Sequence, residues 1–347
     1  MNTLHIAITT HNLSFILSLG FLGFALSMLI TPLYTTIAYK QEWWKRQRTD
    51  AWSGGKATVY AKLHAEKHKR HIPTMAGLIF VAAIFLVTII LNLDRGQTWL
   101  PLAGLIGAAV IGLADDFMNI RSYGGVAGMS ARVKFGLYSI LLLVGGWWFY
   151  AKLGVTSVYI PWITNNHWHV GIFIVLLFWL VVIATAISVN FSDGLDGLAG
   201  GLLTASFTAY AIIAIIEGRI AIAGFCLTVV GTLLSYTWFN IYPARFFMGD
   251  VGAFALGTAL GIIAFQTDTV YLLPIIGAVY VMETGSVIIN RTSRKLRHGK
   301  KVFLSSPIHH HFEAIGWPET KVTMRFWILG QIASVLGLII FLIGRRG

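Results

Sequence analysis

Residues Val170–Glu217 read VGIFIVLLFWLVVIATAISVNFSDGLDGLAGGLLTASFTAYAIIAIIE. Two apolar runs, 170–189 and 198–217, flank a short polar turn. Each has the length of about 20 residues that a helix needs to cross the hydrocarbon core of a bilayer. Lipid offers the backbone no hydrogen-bond partner, so such runs are helices that satisfy themselves. The turn between them holds Asn190, Asp193 and Asp196 among glycines. Carboxylates at membrane depth are costly and mark function. The stretch that sets the fold therefore also raises a question of chemistry.

The rest of the chain conforms. Of its 347 residues 56% are hydrophobic and 12% charged, against about 25% charged in soluble domains. Mean hydropathy is +0.73. The expected fold class is all-α, a single polytopic membrane domain over residues 1–347. Ten spans are predicted: 14–35, 73–93, 99–117, 134–152, 170–189, 198–217, 220–239, 251–267, 270–290 and 326–343. Pro101 and Pro274 fall inside spans, which packed membrane helices tolerate. The first run is too long for a signal-peptide core and is read as a retained helix. Cys226, the single cysteine, lies in an apolar run and excludes an internal disulfide.

The formal net charge is +12, from 26 Lys+Arg against 14 Asp+Glu. On a soluble protein that excess would suggest nucleic acid. Here the basic residues fall on alternate loops, as the positive-inside rule describes, and no nucleic-acid partner is expected. Lys40, Lys45, Arg46, Arg48, Lys56, Lys62, Lys67, Lys69 and Arg70 lie between the first two spans. Arg291, Arg294, Lys295, Arg297, Lys300, Lys301, Lys321 and Arg325 lie between the last two, and Arg121, Arg132 and Arg245 share their side. Opposite loops offer only Arg95, Lys152 and Arg219, plus Arg345 and Arg346 at the C-terminus. Both termini are therefore expected to face away from the cytoplasm. Trp162 and Trp168, in an opposite-side loop, resemble an interfacial anchor.

Sorted by side, the acids cluster. Asp115 and Asp116 end the third span, Asp193 and Asp196 sit between the fifth and sixth, and Asp250 in FFMGDVG opens the eighth. All five fall on the cytoplasmic side. Singly, each is explained as a solvated charge or a helix cap; Asp250 before Val251 resembles an N-cap, and Asp193 could cap the sixth span. Together, flanked by Gly194, Gly197, Gly249 and Gly252, they suggest a site. Clustered carboxylates repel unless something positive sits among them. Mg2+ is the oxygen-seeking candidate, since it binds through one or two carboxylates and substrate phosphates.

A second signal is SSPIHHHFE, Ser305–Glu313. His309, His310 and His311 cannot share one helix face at about 100° per residue, and after Pro307 the chain is expected to be extended or turning. The histidines read either as a plain surface loop or as ligands for phosphate or sugar. The third signal, KHKRHIPTMAG (Lys67–Gly77), reads as a membrane anchor that also attracts anionic headgroups.

LADDF, NFSDGLDGLAGG, PARFFMGDVGAFALG and SSPIHHHFEAIGWPETKVTMRFWI together resemble the phospho-N-acetylmuramoyl-pentapeptide transferase family, within the polyprenyl-phosphate N-acetylhexosamine-1-phosphate transferases. The likeness runs from about Pro73 to Ile328. The histidine run after SPI points to the muramoyl branch. The resemblance implies a ten-helix, Mg2+-dependent, dimeric enzyme of the bacterial cytoplasmic membrane, with its active site on the cytoplasmic face. It implies transfer of phospho-MurNAc-pentapeptide from UDP-MurNAc-pentapeptide to undecaprenyl phosphate, giving lipid I and UMP. By motif, Asp115 and Asp116 match the family's paired acids, and Asp250 its metal-binding acid. Asn190, Asp193 and Asp196 match its nucleotide-site turn, and His309, His310 and His311 its histidine motif. Phe247 stands where a uracil-stacking aromatic is expected, and Arg70 near a basic nucleotide contact. The family's Lys three residues after the paired acids is here Asn119; Arg121, Arg132 or Lys134 could supply its charge. Other departures are His71-Ile72, Ala76 and Ala253.

On this reading Asp115 deprotonates or orients the lipid phosphate, Asp116 assists Asp115 or the metal, and Asp250 carries the metal. A covalent route through an Asp stays open. Two other functions compete: the same chemistry on UDP-N-acetylglucosamine, and secondary transport. Transporters place their charged site near the bilayer midplane, whereas these acids lie at helix ends.

Overall fold

The computed structural model describes residues 9–44, 71–121, 128–161 and 167–344. Its helices are α1 (Thr10–Lys40), α2 (Gly77–Leu91), α3 (Trp99–Arg121), α4 (Ala131–Ala151), α5 (Ile174–Ser192), α6 (Leu198–Ile216), α7 (Ile220–Asn240), α8 (Gly249–Gln266), α9 (Leu273–Ile276), α10 (Ala278–Leu296), α11 (Ile308–Ala314) and α12 (Glu319–Gly344). A short antiparallel hairpin, β1 (Ser157–Tyr159) with β2 (His167–His169), joins α4 to α5. Among the described residues, eight helices are long and apolar enough to cross a membrane: α1, α3 to α8, and α12. The protein is an all-α, multi-pass membrane protein.

The two remaining predicted spans differ from expectation. The segment 73–93 becomes α2, only 15 residues, or about 22 Å at 1.5 Å per residue. The residues before it are not helical. Their backbone is satisfied by the α7–α8 connection instead: Ala76 N–H donates to Phe247 O at 3.0 Å, Gly77 N–H to Met248 O at 2.9 Å, and Phe247 N–H to Pro73 O at 2.8 Å. Irregular backbone at membrane depth needs such protein partners. The segment 270–290 is not one straight helix. Residues 270–276 and 278–296 meet at 78°, with the break at Gly277. Pro274 lies in the first turn of the short α9 rather than in the middle of a span.

Helix α8 is the axis of the bundle. Every residue from Gly249 to Gln266 is buried except Asp250. Apolar side chains gain little by leaving lipid for protein, so membrane helices associate through close packing of small residues. Gly257 and Gly261 of α8 bring its backbone against Ala186 and Val182 of α5, and Gly104 of α3 receives Ile262.

Helix α10 is built inside out. Its buried face carries Glu283, Ser286, Asn290 and Ser293, while Val281, Met282, Ile288 and Ile289 are exposed. That polarity suits a helix with lipid on one side and a polar interior on the other.

The hairpin marks one end of the bundle. Tyr159 N–H donates to Asp268 Oδ1 beyond α8 at 2.9 Å, and its hydroxyl to Gly344 O at the end of α12 at 2.9 Å. Trp168 is 61% exposed there, as an interfacial anchor would be. The five clustered acids lie on connections at the other end.

Candidate active site

The site is assembled where α3, α4, α5 and α8 converge. Asp115 and Asp116 lie in the last turns of α3 and are both buried. Asp116 Oδ2 accepts the N–H of Val251 at 3.1 Å. An acid of α3 thus caps the N-terminus of α8, where negative charge is favoured. Asp250 is therefore not the N-cap. It is the second residue of α8, whose N-cap position is Met248 with no side-chain bond. Gly249 has φ +74°, and a Cβ there would stand 2.5 Å from Asp116 Oδ2. Glycine alone accepts both the left-handed backbone and the carboxylate's approach.

The positive group among the acids is Lys134, in the first turns of α4. Its Nζ lies 2.7 Å from Asp115 Oδ2 and also contacts Asp250 Oδ2. The same ammonium stands 4.9 Å from the Phe254 ring centre, and Phe254 stacks on Tyr138 at 4.5 Å. The stem is thus held by packing as well as charge. Asn190 Nδ2 donates to Asp250 Oδ1 at 3.2 Å, and Met129 N–H to Asp115 Oδ1 at 2.6 Å. Of the three candidate replacements for the family lysine at Asn119, Lys134 is the one in the cluster. Lys134 thus bridges Asp115 and Asp250, while Asp116 is held by the Val251 N–H.

Among the described residues no three His, Cys, Asp or Glu side chains are grouped to hold a metal. Mg2+ requires less, because water and substrate phosphate complete its shell. Asp250, the one residue of α8 that is not buried, with Asp115 joined to it through Lys134, fits that requirement.

The Asp193–Asp196 turn closes the floor. Asp193 terminates α5, its N–H donating to Asn190 O at 3.2 Å. It does not cap α6, whose N-cap is Gly197, with its amide on Asn240 Oδ1 at 2.9 Å. Asp196 is buried and fully engaged with protein. Its Oδ2 accepts from Ala244 N–H at 3.0 Å, and its own N–H donates to Glu319 Oε1 at 2.7 Å. Through Ala244 it anchors the connection that carries Phe247, which is partly buried.

The histidines are helical, not extended. Pro307 restricts the residue before it and is itself compatible with a helix start, so α11 begins at Ile308. The rings of His309 and His310 touch edge to face, and each nonetheless has its own partner. His309 is fully buried against Glu283, with Nδ1 2.9 Å from Oε2. His310 Nδ1 meets Glu313 Oε2 at 2.7 Å. His311 Nδ1 accepts from Leu304 N–H at 3.2 Å and braces the preceding loop. A Cβ on Gly194 would lie 2.3 Å from His309 Nε2, so α11 sits directly against the turn.

Comparison with known proteins bears on this arrangement. Residues 98–268 match the model of Glycosyl transferase family 4. A phospho-N-acetylmuramoyl-pentapeptide-transferase of Moorella thermoacetica is 40% identical over 270 residues, 78% of this chain and 84% of the relative. Proteins of the same name from Chloroflexus aurantiacus and Chloroflexus aggregans are 33% identical over 97% of this chain and 92% of theirs. The chain belongs to the phospho-N-acetylmuramoyl-pentapeptide transferase family.

Within this family member the structure joins most of the residues that sequence singled out. Asp115, Asp116, Lys134, Asn190 and Asp250 form one cluster; Asp193, Asp196 and His309 are linked to it through the end of α5. His310 packs on His309, their ring centres 4.0 Å apart. His311 turns away to the loop. Arg70 lies outside the described residues. Sequence reasoning missed Glu283, Glu313 and Glu319. Glu283 carried a signal: it is an acid inside the predicted span 270–290, spaced at helical intervals from Ser286 and Asn290.

Proposed function

We propose that the protein transfers phospho-MurNAc-pentapeptide from UDP-MurNAc-pentapeptide to undecaprenyl phosphate, releasing UMP and forming lipid I. The observation that carries this reading is the convergence of Asp115 and Asp250 on Lys134, with Asp116 beside them on the Val251 N–H, at one end of a membrane bundle. A lipid phosphate arrives from the bilayer and a sugar nucleotide from the cytoplasm. Only a site at that surface receives both, so we place it on the cytoplasmic face of the bacterial cytoplasmic membrane. A homodimer is part of the same reading.

Both reactants are anions, so positioning and charge neutralisation dominate the barrier. Lys134, held between two carboxylates, is the cation that phosphate oxygens would meet. Asp115, buried and fixed by Met129 N–H and Lys134, orients the lipid phosphate or takes its proton. Asp116 holds the N-terminus of α8 and so sets where Asp250 stands. Asp250 would hold Mg2+, whose chemistry when bound is to neutralise the diphosphate and stabilise the departing UMP. Asn190 restrains Asp250 from the α5 side. Asp193, on the glycine turn, is placed to hydrogen-bond the nucleoside or sugar, with Phe247 as the stacking surface for the base.

The test uses purified protein, Mg2+ and undecaprenyl phosphate with either UDP-MurNAc-pentapeptide or UDP-N-acetylglucosamine. UMP release with the first alone supports the proposal. Release with the second alone assigns the other sugar branch, and release with neither overturns the transferase reading.

A further inference from the structure

Two histidines of α11 each meet a glutamate through the same ring atom, Nδ1. The pairs differ in depth. Glu313 and His310 lie at the rim, their side chains 9% and 6% exposed, whereas Glu283 and His309 are both 0% exposed. In the inner pair, His309 Nε2 and Glu283 Oε1 are buried with no hydrogen-bond partner among the described residues. Such atoms are uncommon and costly, and invite a functional explanation. Nε2 is aimed at the backbone of Gly194, between Asp193 and Leu195. If α11 only needed a tie to α10, an apolar pair would provide one without desolvating two ionisable groups.

We propose that Glu283 is a positioning residue for the transfer reaction, acting through His309. Its carboxylate holds the ring by Nδ1 and keeps Nε2 directed at the Asp193–Asp196 turn. The partner at one ring nitrogen decides the orientation of an imidazole and the proton carried by the other. With Glu283 in place the ring can neither flip nor exchange tautomers. The turn that rests on it is then fixed, and with it the end of α5, where Asn190 reaches Asp250. Gly194 keeps this contact close: any side chain there would meet the imidazole. The inference rests on the transferase reading of the site.

The test compares wild type, Glu283→Gln, His309→Asn and the double variant as full-length protein in detergent. Four quantities are read: melting temperature, KM for the sugar nucleotide, kcat, and the 15N signals of the histidine assigned as His309 by its absence in His309→Asn. Folded Glu283→Gln is expected to lose at least about tenfold in kcat with little change in KM, the scale seen when a group that orients a histidine is removed. The double variant is expected to be no slower than His309→Asn, because both changes interrupt one path. The His309 signals are expected to move in Glu283→Gln. A kcat within about twofold of wild type, multiplying losses in the double variant, or unchanged His309 signals would each overturn the inference. If Glu283→Gln does not fold, Glu283→Asp, which keeps the charge but withdraws it, enters the same comparisons. Wild type inactive on every sugar nucleotide would defeat the transferase reading instead; the His309 spectra would still decide whether Glu283 sets the ring.

Discussion

Lys134 Nζ lies 2.7 Å from Asp115 Oδ2 and contacts Asp250 as well, tying α4 to both α3 and α8. Its side chain is only 12% exposed. Removing one partner of a buried ion pair costs about 3–5 kcal/mol, because the other charge is left uncompensated. Here Asp115 and Asp250 would both lose their shared cation. Lys134→Gln is therefore expected to lower the melting temperature and to remove most activity. Lys134→Arg should keep much of the stability while losing activity, since a planar guanidinium does not replace a compact ammonium between two acids. Thermal melts in detergent beside UMP release decide this; a Gln variant as stable as wild type would mean that the ammonium is held elsewhere in solution.

Asn119 is one helical turn beyond Asp115 on α3, and both are buried. A Lys at 119 could therefore reach Asp115 across the i, i+4 spacing. Asn119→Lys alone should be tolerated, because the added cation has the Asp115 carboxylate within reach. It should also restore part of the activity lost in Lys134→Gln. A second-site variant that rescues nothing would show that the position of the cation, and not charge alone, governs the site.

Asp250→Asn keeps the shape of the side chain and its contact with Asn190, but removes the charge. If Asp250 holds Mg2+, turnover at ordinary Mg2+ is expected to collapse, with partial recovery as Mg2+ is raised. Titrating Mg2+ against rate for both proteins checks this. Parallel curves, offset but with the same midpoint, would assign Asp250 a purely structural place at the start of α8.

The topology proposed from the asymmetry of Lys and Arg puts Lys300 on the cytoplasmic side and Lys152 outside. Both are exposed, and the native Cys226 is buried, so labelling background should be low. In intact cells an impermeant maleimide is expected to modify Lys152→Cys and to spare Lys300→Cys until the membrane is opened. The reverse pattern would put the carboxylate cluster on the wrong side for a cytoplasmic nucleotide.

The helices were legible because lipid leaves the backbone few options: an apolar run of about twenty residues has to be a helix. Where the run is satisfied by neighbours, that logic stops short. Nothing in PTMAG says that Phe247 and Met248 will take its hydrogen bonds, so α2 looked longer than it is. Nothing local to Gly277 distinguishes a tolerated glycine from a 78° break. In the site, residue types and sidedness could be read, and they named the acids. Pairing could not. Lys134 stood among three candidate cations until α4 packed on α8. Glu283 looked like one more residue of an apolar segment until its polar face turned inward.

The same distinction separates Asp193 from Asp196, which sequence alone had assigned jointly to the nucleotide. Asp196 accepts Ala244 N–H at 3.0 Å, while its own N–H is held by Glu319 and its carbonyl by Thr323. It is buried, and its carboxylate ties the turn to the connection bearing Phe247. Asp193 terminates α5 and is only partly buried, so it has room to face a ligand. Asp196→Asn is therefore expected to lower the melting temperature and to weaken every substrate together, because the floor itself loosens. Asp193→Asn should melt near wild type. A hydrogen bond to a charged group is worth about 1.5–3 kcal/mol, so its loss should weaken sugar-nucleotide binding roughly tenfold to 150-fold. If ground and transition states share the contact, the loss falls on KM and leaves kcat nearly unchanged. Calorimetric titration with the sugar nucleotide, beside thermal melts of both variants, separates the two roles. Normal binding by a well-folded Asp193→Asn protein would remove Asp193 from the nucleotide half of the site.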